Sequence, residues 1–201
     1  MEQGAEGWRA EIAAAAARLV VEDGLEYGPA KRQAIRVLGL PARTPLPGND
    51  ELEDAVFEYI AIFCADTQPQ ELAALRRLAA RWMERLAPFR PHLSSAVWRG
   101  SATRQSDIVL ELYCDDSKSA EIALIDARVA YEPRTVHGMR RDTVEALSVS
   151  DFCPDLNATV FIHLLVYDHD DLRGALRQDA KGRTPRGDLA SLRELVRRQS
   201  P

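Results

Sequence analysis

The sequence WRGSATRQSDIVLELY at residues 98–113 contains the feature that decides the fold, a change from helical to strand periodicity. Earlier in the chain apolar side chains recur about every 3.6 residues, whereas over residues 107–113 Ile108, Leu110 and Leu112 alternate with Asp107, Val109, Glu111 and Tyr113. Such alternation predicts a β-strand with one buried face. Gly100 and Ser101 form a polar turn before it, and residues 96–99 are predicted as a short strand that enters this turn.

The rest of the C-terminal half predicts further strands and helices around this unit. Residues 159–166, TVFIHLLV, form the most β-branched and apolar stretch, which predicts a central strand. Strands are also expected at residues 131–136 and 144–149. Helices are expected at residues 115–127, 170–176 and 188–197. Strands and helices in this order predict a mixed sheet with flanking helices.

The N-terminal half reads as helices that carry no chemical motif. Apolar residues at helical spacing predict helices at residues 8–21, 29–38 and 50–65, and a fourth from Thr67 to just before Pro88. The overall expectation is an α+β protein. A helical region at residues 1–93 is predicted to pack on a domain at residues 94–201 that contains the sheet and the basic C-terminal segment.

The residue types around the Gly-Ser turn indicate a phosphate-binding site. Gly100 lets a phosphate approach the backbone, Ser101 adds a hydroxyl, and Arg104 adds a charge-assisted donor. Asp107 lies at the start of the next strand, where its carboxylate is placed to hold a divalent cation that bridges phosphate oxygens.

This segment resembles the nucleotidyltransferase superfamily, whose signature is a strand, a Gly-Ser turn and a second strand that begins SDxD, in the minimal polymerase-β-like fold. Gly100 and Ser101 match the turn, and Ser106 and Asp107 match the start of the second strand. The resemblance covers residues 94–170. It implies binding of a nucleoside triphosphate (NTP) and transfer of its NMP part to an acceptor, with help from Mg²⁺ or Mn²⁺. The acceptor is a protein, an RNA end or a small molecule.

The metal ligands that the resemblance implies are only partly present. The second aspartate of the family's pair falls on Val109, which has no ligand atom. The third carboxylate belongs on a later strand, where His163 lies within the strand and Asp168 just after it. The predicted metal ligands are therefore Asp107, His163 and Asp168, with Asp107 as the catalytic residue.

Charge is distributed unevenly along the chain. The net charge is −5, yet residues 173–198 carry eight basic and three acidic side chains, which is a local +5. Any polyanion is expected to meet this segment. Its loop is predicted to close over a phosphate chain or RNA backbone through Lys181, Arg183 and Arg186.

Several classes of protein are disfavoured by what the sequence lacks. No P-loop, dinucleotide-binding, zincin or α/β-hydrolase motif occurs. Neither an apolar run of 18 residues nor the basic start of a signal peptide is present, so no membrane partner is predicted and the expected location is the cytoplasm.

Three functions stay open on the sequence. The first is a nucleotidyltransferase that uses Asp107 and a metal. The second is a degenerate member that keeps a nucleotide pocket or a regulatory or protein-interaction role without transfer, which Val109 favours. The third is a helical interaction protein whose α/β part is a scaffold, with residues 100–107 as a simple turn.

Overall fold

The computed structural model describes residues 2–138, 143–179 and 182–199. Within these residues the chain is an α+β protein with eight α-helices and a six-stranded mixed sheet. Its contacts divide it into a helical unit, Met1–Pro69 with Ser101–Gln105, and a sheet unit, Gln70–Gly100 with Ser106–Pro201. Among the helices in the described ranges, none combines the length and the apolar character needed to cross a membrane.

The helical unit contains α1 (Glu2–Asp23), α2 (Tyr27–Val37) and α3 (Asn49–Phe63). All three were predicted, within a few residues for α2 and α3 and with α1 extended at its start. Their buried side chains form one apolar core, which includes Ile12, Ala16, Ile35, Leu52 and Val56. The core follows from the helical spacing of these residues, because side chains three and four positions apart share one helix face.

The sheet has the strand order β3-β4-β5-β2-β1-β6. The strands are β1 (His92–Ser94), β2 (Ile108–Cys114), β3 (Glu132–His137), β4 (Thr143–Cys153), β5 (Ala158–Asp168) and β6 (Arg186–Gly187). The β2–β5 pair is parallel and the other pairs are antiparallel. The apolar stretch predicted as a central strand is β5, which is confirmed as an interior strand between β4 and β2.

The remaining helices are α4 (Gln68–Arg85), α5 (Ser95–Arg99), α6 (Lys118–Asp126), α7 (Leu172–Ala175) and α8 (Leu189–Gln199). Two side chains of α4 reach the β4–β5 hairpin. The indole Nε1 of Trp82 donates to Asp151 Oδ2 at 2.8 Å, and Arg77 pairs with Asp155 at 2.8 Å. These bonds attach α4 to the sheet within the sheet unit.

One predicted strand is wrong. Residues 96–99 are not a strand, because Ser95–Arg99 is the short helix α5 and the strand lies just before it. Gly100 ends this helix with a left-handed backbone, φ +97°, and its N–H donates to Ala96 O at 2.8 Å. Four residues are too few for periodicity to separate a strand from one helical turn.

The sheet has an apolar face and a polar face. Ile108, Leu110 and Leu112 of β2 are fully buried on the apolar face, together with Ile162 and Leu164 of β5. Side chains alternate along a strand, so the other face carries Val109, Glu111 and Tyr113 and the residues paired with them. We call this second face the polar face.

Candidate functional site

The polar face carries a row of mostly polar side chains, one from each of five neighbouring strands. The strand register places Ser148 of β4 beside His163 of β5, and His163 beside Val109 of β2. Val109 in turn pairs with Ser94 of β1, and Ser94 with Arg186 of β6. Four of the five residues in this row are polar, as expected for a mostly antiparallel sheet that packs its other face on the apolar core.

Hydrogen bonds join Ser148 and His163 of this row to Asp107, which precedes β2. We call these three residues the polar triad. Ser148 Oγ lies 2.9 Å from His163 Nδ1, and His163 Nε2 lies 3.1 Å from Asp107 Oδ2. With its proton on Nε2, a neutral His163 donates to the Asp107 carboxylate and accepts from the Ser148 hydroxyl. This pattern holds the imidazole in one orientation.

Exposure increases along the triad from Ser148 to Asp107. Ser148 is buried, the His163 side chain is 28% exposed, and the Asp107 side chain is 47% exposed. The group that a ligand can reach is thus the carboxylate, backed by the imidazole. A serine nucleophile would need the opposite order, with an accessible hydroxyl and a buried acid. The triad therefore presents Asp107 and His163, with Ser148 orienting the ring.

A second polar group on this face is buried. Glu111 Oε2 lies 3.1 Å from Arg186 Nε, and the Tyr113 hydroxyl donates to Glu111 Oε2 at 2.8 Å. The ring of His92 packs edge-on against Tyr113, with ring centroids 5.3 Å apart. Burial, together with the Glu111 carboxylate, raises the pKa of Tyr113 above its ordinary value. This group is internally paired and inaccessible, so it holds the strands together.

Gly100 is positioned by a buried arginine. Arg76 of α4 is 1% exposed, and its guanidinium donates to the carbonyls of Val97 and Trp98 at 3.0 Å each. Burial lowers the pKa of Arg76 to about 10. These two bonds satisfy carbonyls at the end of α5, which would otherwise lack partners inside the helix. Helix α4, more than twenty residues earlier in the chain, therefore stabilises the turn at Gly100.

The predicted phosphate ligands that follow Gly100 belong to the helical unit. Gln68 Nε2 donates to Ala102 O at 2.8 Å and Thr103 Oγ1 donates to Val21 O at 3.4 Å, which buries this part of the segment. Ser101 is 4% exposed, and its hydroxyl has no hydrogen-bond partner among the described residues. Arg104 is exposed. The predicted Ser101 hydroxyl is thus inside the helical unit, whereas Arg104 is at the surface.

Of the predicted metal ligands, the structure brings together Asp107 and His163 but not Asp168. Asp168 pairs with Cys114 at the far end of the parallel strands and accepts the Asp170 backbone N–H at 2.9 Å. It lies five positions further along β5 than His163, roughly 16 Å away. In residues 2–138, 143–179 and 182–199, no group of three or more His, Cys, Asp or Glu side chains could hold a metal ion.

Two arginines of the basic loop form ion pairs with carboxylates of the protein itself. Arg183 pairs with Asp179 at 3.0 Å, and Arg186 pairs with Glu111 as described above. Lys181, the third predicted phosphate ligand of this loop, lies outside the described residues. Arg186 is thus placed on the polar face by β6, a two-residue strand in a segment predicted as a loop.

Sequence reasoning missed Ser148 and the aromatic residues near it. Ser148 interrupts an apolar stretch between Leu147 and Val149. A lone hydroxyl inside a predicted strand is a weak signal that it needs a partner. Only the β4–β5 register identifies that partner as His163. Phe152 and Phe161 lie on the same face and are exposed, although phenylalanine is most often buried.

Comparisons of the chain with protein-family models, with curated proteins and with solved structures find no match.

Proposed function

We propose that this chain is a nucleotidyltransferase-like protein whose sheet unit binds a nucleoside triphosphate without transferring its NMP part. The observation that carries this proposal is the polar triad. By the sequence resemblance, Asp107 matches the superfamily's first metal ligand and Val109 its second. Val109 pairs with His163 of β5, so no second carboxylate lies in this pair. The chain thus keeps an accessible polar group at the start of β2 and lacks the acidic neighbours that transfer requires.

The residues of this row fit two divalent metals poorly. Mg²⁺ demands near-octahedral oxygen coordination, and its protein ligands are mostly carboxylates. The polar triad supplies one carboxylate and one imidazole, and the imidazole is already hydrogen bonded to Ser148 and Asp107. We therefore assign no step to a metal in this proposal.

In this proposal Asp107 and His163 contact the nucleotide directly and hold no metal. A carboxylate accepts hydrogen bonds from ribose hydroxyls, as acidic residues do in dinucleotide-binding proteins. Gly100 stays a predicted phosphate contact; its turn is packed against α4, with Arg76 and Leu72 side-chain atoms 3.6 and 4.0 Å from the position of a Cβ. Arg104 belongs to the helical unit, so it is not part of the site proposed on the sheet unit.

Thermal unfolding with ATP, GTP, CTP and UTP, each with and without Mg²⁺ or Mn²⁺, tests the proposal. A ligand that binds only the native state raises the midpoint, and we expect a rise that does not require the metal. Asp107→Ala should abolish it, whereas Glu132→Ala, at an exposed carboxylate of β3, should leave it unchanged. No rise with any nucleotide would contradict nucleotide binding.

A second candidate is metal-assisted NMP transfer to a protein, an RNA end or a small molecule, and the 3.1 Å contact of Asp107 with His163 favours it. These two residues would then share one Mg²⁺ or Mn²⁺, which would neutralise phosphate charge. Incubation with NTP labelled at the α-phosphate separates the candidates. Pyrophosphate release that needs metal, and that Asp107→Ala abolishes, would replace the binding proposal by this one.

A further inference from the structure

Two exposed phenylalanines lie beside the polar triad on the polar face. Phe152 of β4 and Phe161 of β5 are each 53% exposed. Phe161 lies two residues before His163, so their side chains share a face. The register pairs Ile108 with Ile162, which brings Asp107, the preceding residue, next to Phe161. The aromatic pair thus adjoins the accessible end of the triad.

The positions of the two phenylalanines in the sheet suit a planar ligand. Phe152 pairs with Thr159, so Phe161 is its diagonal neighbour across the strands. Diagonal neighbours on one face of an antiparallel pair are about 7–8 Å apart. Aromatic carbons in contact are about 3.5–4.0 Å apart, so a planar ring stacked between two others needs about 7–8 Å between them. The strand positions of Phe152 and Phe161 are far enough apart for one planar ring to enter between the side chains.

We propose that Phe152 and Phe161 form a stacking site for the base of the bound nucleotide, an inference that rests on the proposed function above. The exposed hydroxyls of Ser150 and Thr159 lie directly opposite these rings and offer hydrogen bonds to the edge of a base. A wholly apolar guest would leave them unused. Stacking on aromatic side chains accepts any base, because every base has a π-face.

Charge orients the nucleotide on this surface. The Asp107 carboxylate adjoins Phe161, and a carboxylate repels the phosphate chain but accepts hydrogen bonds from ribose hydroxyls. The base therefore lies at the aromatic pair and the ribose at Asp107. The phosphates extend away from the β4–β5 hairpin.

Calorimetric titration of the full chain with ATP and, separately, with inorganic tripolyphosphate tests the stacking site. Phe161→Ala and Phe152→Ala should each weaken ATP binding about tenfold, since loss of one aromatic partner removes much of the stacking of a base. Tripolyphosphate has no base, so its binding should not change. Phe161→Tyr keeps the ring and should keep ATP affinity. The matched control is Phe63→Ala, because Phe63 is 67% exposed and belongs to the helical unit.

The outcomes separate the stacking site from the proposed function. If the wild-type chain binds neither ATP nor tripolyphosphate, nucleotide binding itself fails and the stacking site fails with it. If the wild type binds ATP and both alanine variants bind it equally well, nucleotide binding stands and the stacking site is overturned. If the variants leave ATP affinity unchanged but alter the oligomeric state, the aromatic pair is a protein contact instead. Circular dichroism spectra that match wild type show that the variants fold.

Discussion

Two polar groups on one face of the same sheet differ in what surrounds them. Glu111 and Arg186 have side chains only 6% and 11% exposed, whereas those of Asp107 and His163 are 47% and 28% exposed. The two carboxylates lie four residues apart, at the start and in the middle of the same strand region. An ion pair sealed in the fold acts on stability, while a half-exposed pair can exchange its partner for a ligand. Burial, more than residue type, separates the structural group from the candidate site.

The largest expected effect is the loss of the buried carboxylate. Glu111→Ala removes the anion that faces Arg186 and the acceptor of the Tyr113 hydroxyl. Breaking a buried ion pair costs about 3–5 kcal/mol. We expect a loss of that order in the free energy of unfolding, measured by guanidinium chloride denaturation with the fluorescence of Trp82 and Trp98 as the signal.

Glu132→Ala serves as the control for the buried pair. Glu132 is 75% exposed and pairs with Arg134, and an exposed pair of this kind contributes about 0–1 kcal/mol. If Glu111→Ala lowered the free energy of unfolding no more than Glu132→Ala, the buried group would contribute no more to stability than an exposed ion pair.

Gly187→Ala tests β6, the strand that carries Arg186 of the buried ion pair. A Cβ at Gly187 would lie 2.1 Å from the ring of Trp98, whose Nε1 donates to Thr184 O at 2.8 Å. The ring must move, and overpacking of this kind costs about 1–3 kcal/mol. Denaturation measures the loss, and combining it with Trp98→Phe, which removes the clashing ring atoms, should recover part of it. Gly7→Ala, where nothing lies within 4 Å, should cost nothing.

Ser148→Ala tests the orientation of His163 within the triad. Removing one hydrogen bond costs about 1 kcal/mol, so stability should fall less than in Glu111→Ala. The rise in thermal midpoint on adding ATP should shrink, because the imidazole loses the contact that orients it. Ser117→Ala, at an exposed hydroxyl before α6 that makes no capping hydrogen bond, should leave stability and the midpoint rise unchanged. Equal effects of the two variants would remove Ser148 from the site.

The smallest expected effect is a pH dependence in the helical unit. The Tyr59 hydroxyl donates to Glu22 Oε1 at 2.5 Å, and this bond raises the pKa of Tyr59 to about 12 from its ordinary value of 10.0. The folded state keeps the proton that the unfolded state loses above pH 10. This contribution to stability is therefore complete below pH 10 and disappears as pH rises to about 12.

Tyr59→Phe should flatten that decline, since phenylalanine has no proton to lose. Circular dichroism at 222 nm during denaturation at pH 9 and at pH 11 measures the difference between the two proteins. Parallel curves for wild type and variant would show that the bond to Glu22 does not stabilise the protonated tyrosine.

Local signals predicted most of the helices and the sheet strands. Helix α3 follows from apolar residues at helical spacing, and β5 follows from its β-branched, apolar composition. Residues 96–99 were predicted wrongly because the segment is too short to show a period. Their helical turn depends on Gly100 and on Arg76, which supplies donors from a distant helix.

The candidate site was predictable only in part. Asp107 and His163 were recognisable as polar residues at a strand start and in an apolar strand, but 56 residues separate them in the chain. Ser148 and the pair Phe152 and Phe161 carried no usable local signal. A shift of one residue in strand register would move each of these side chains to the opposite face.

The sequence by itself determined the α+β class and the order of most helices and strands, and it singled out Asp107 as an acid at the start of a strand. Periodicity, turn residues and composition are local properties, so they can be read along the chain. Only the tertiary structure decided that His163 and Ser148 support Asp107, that Asp168 does not, and that Arg186 is paired with Glu111. Those pairings depend on strand register and burial, which arise from packing between residues far apart in sequence.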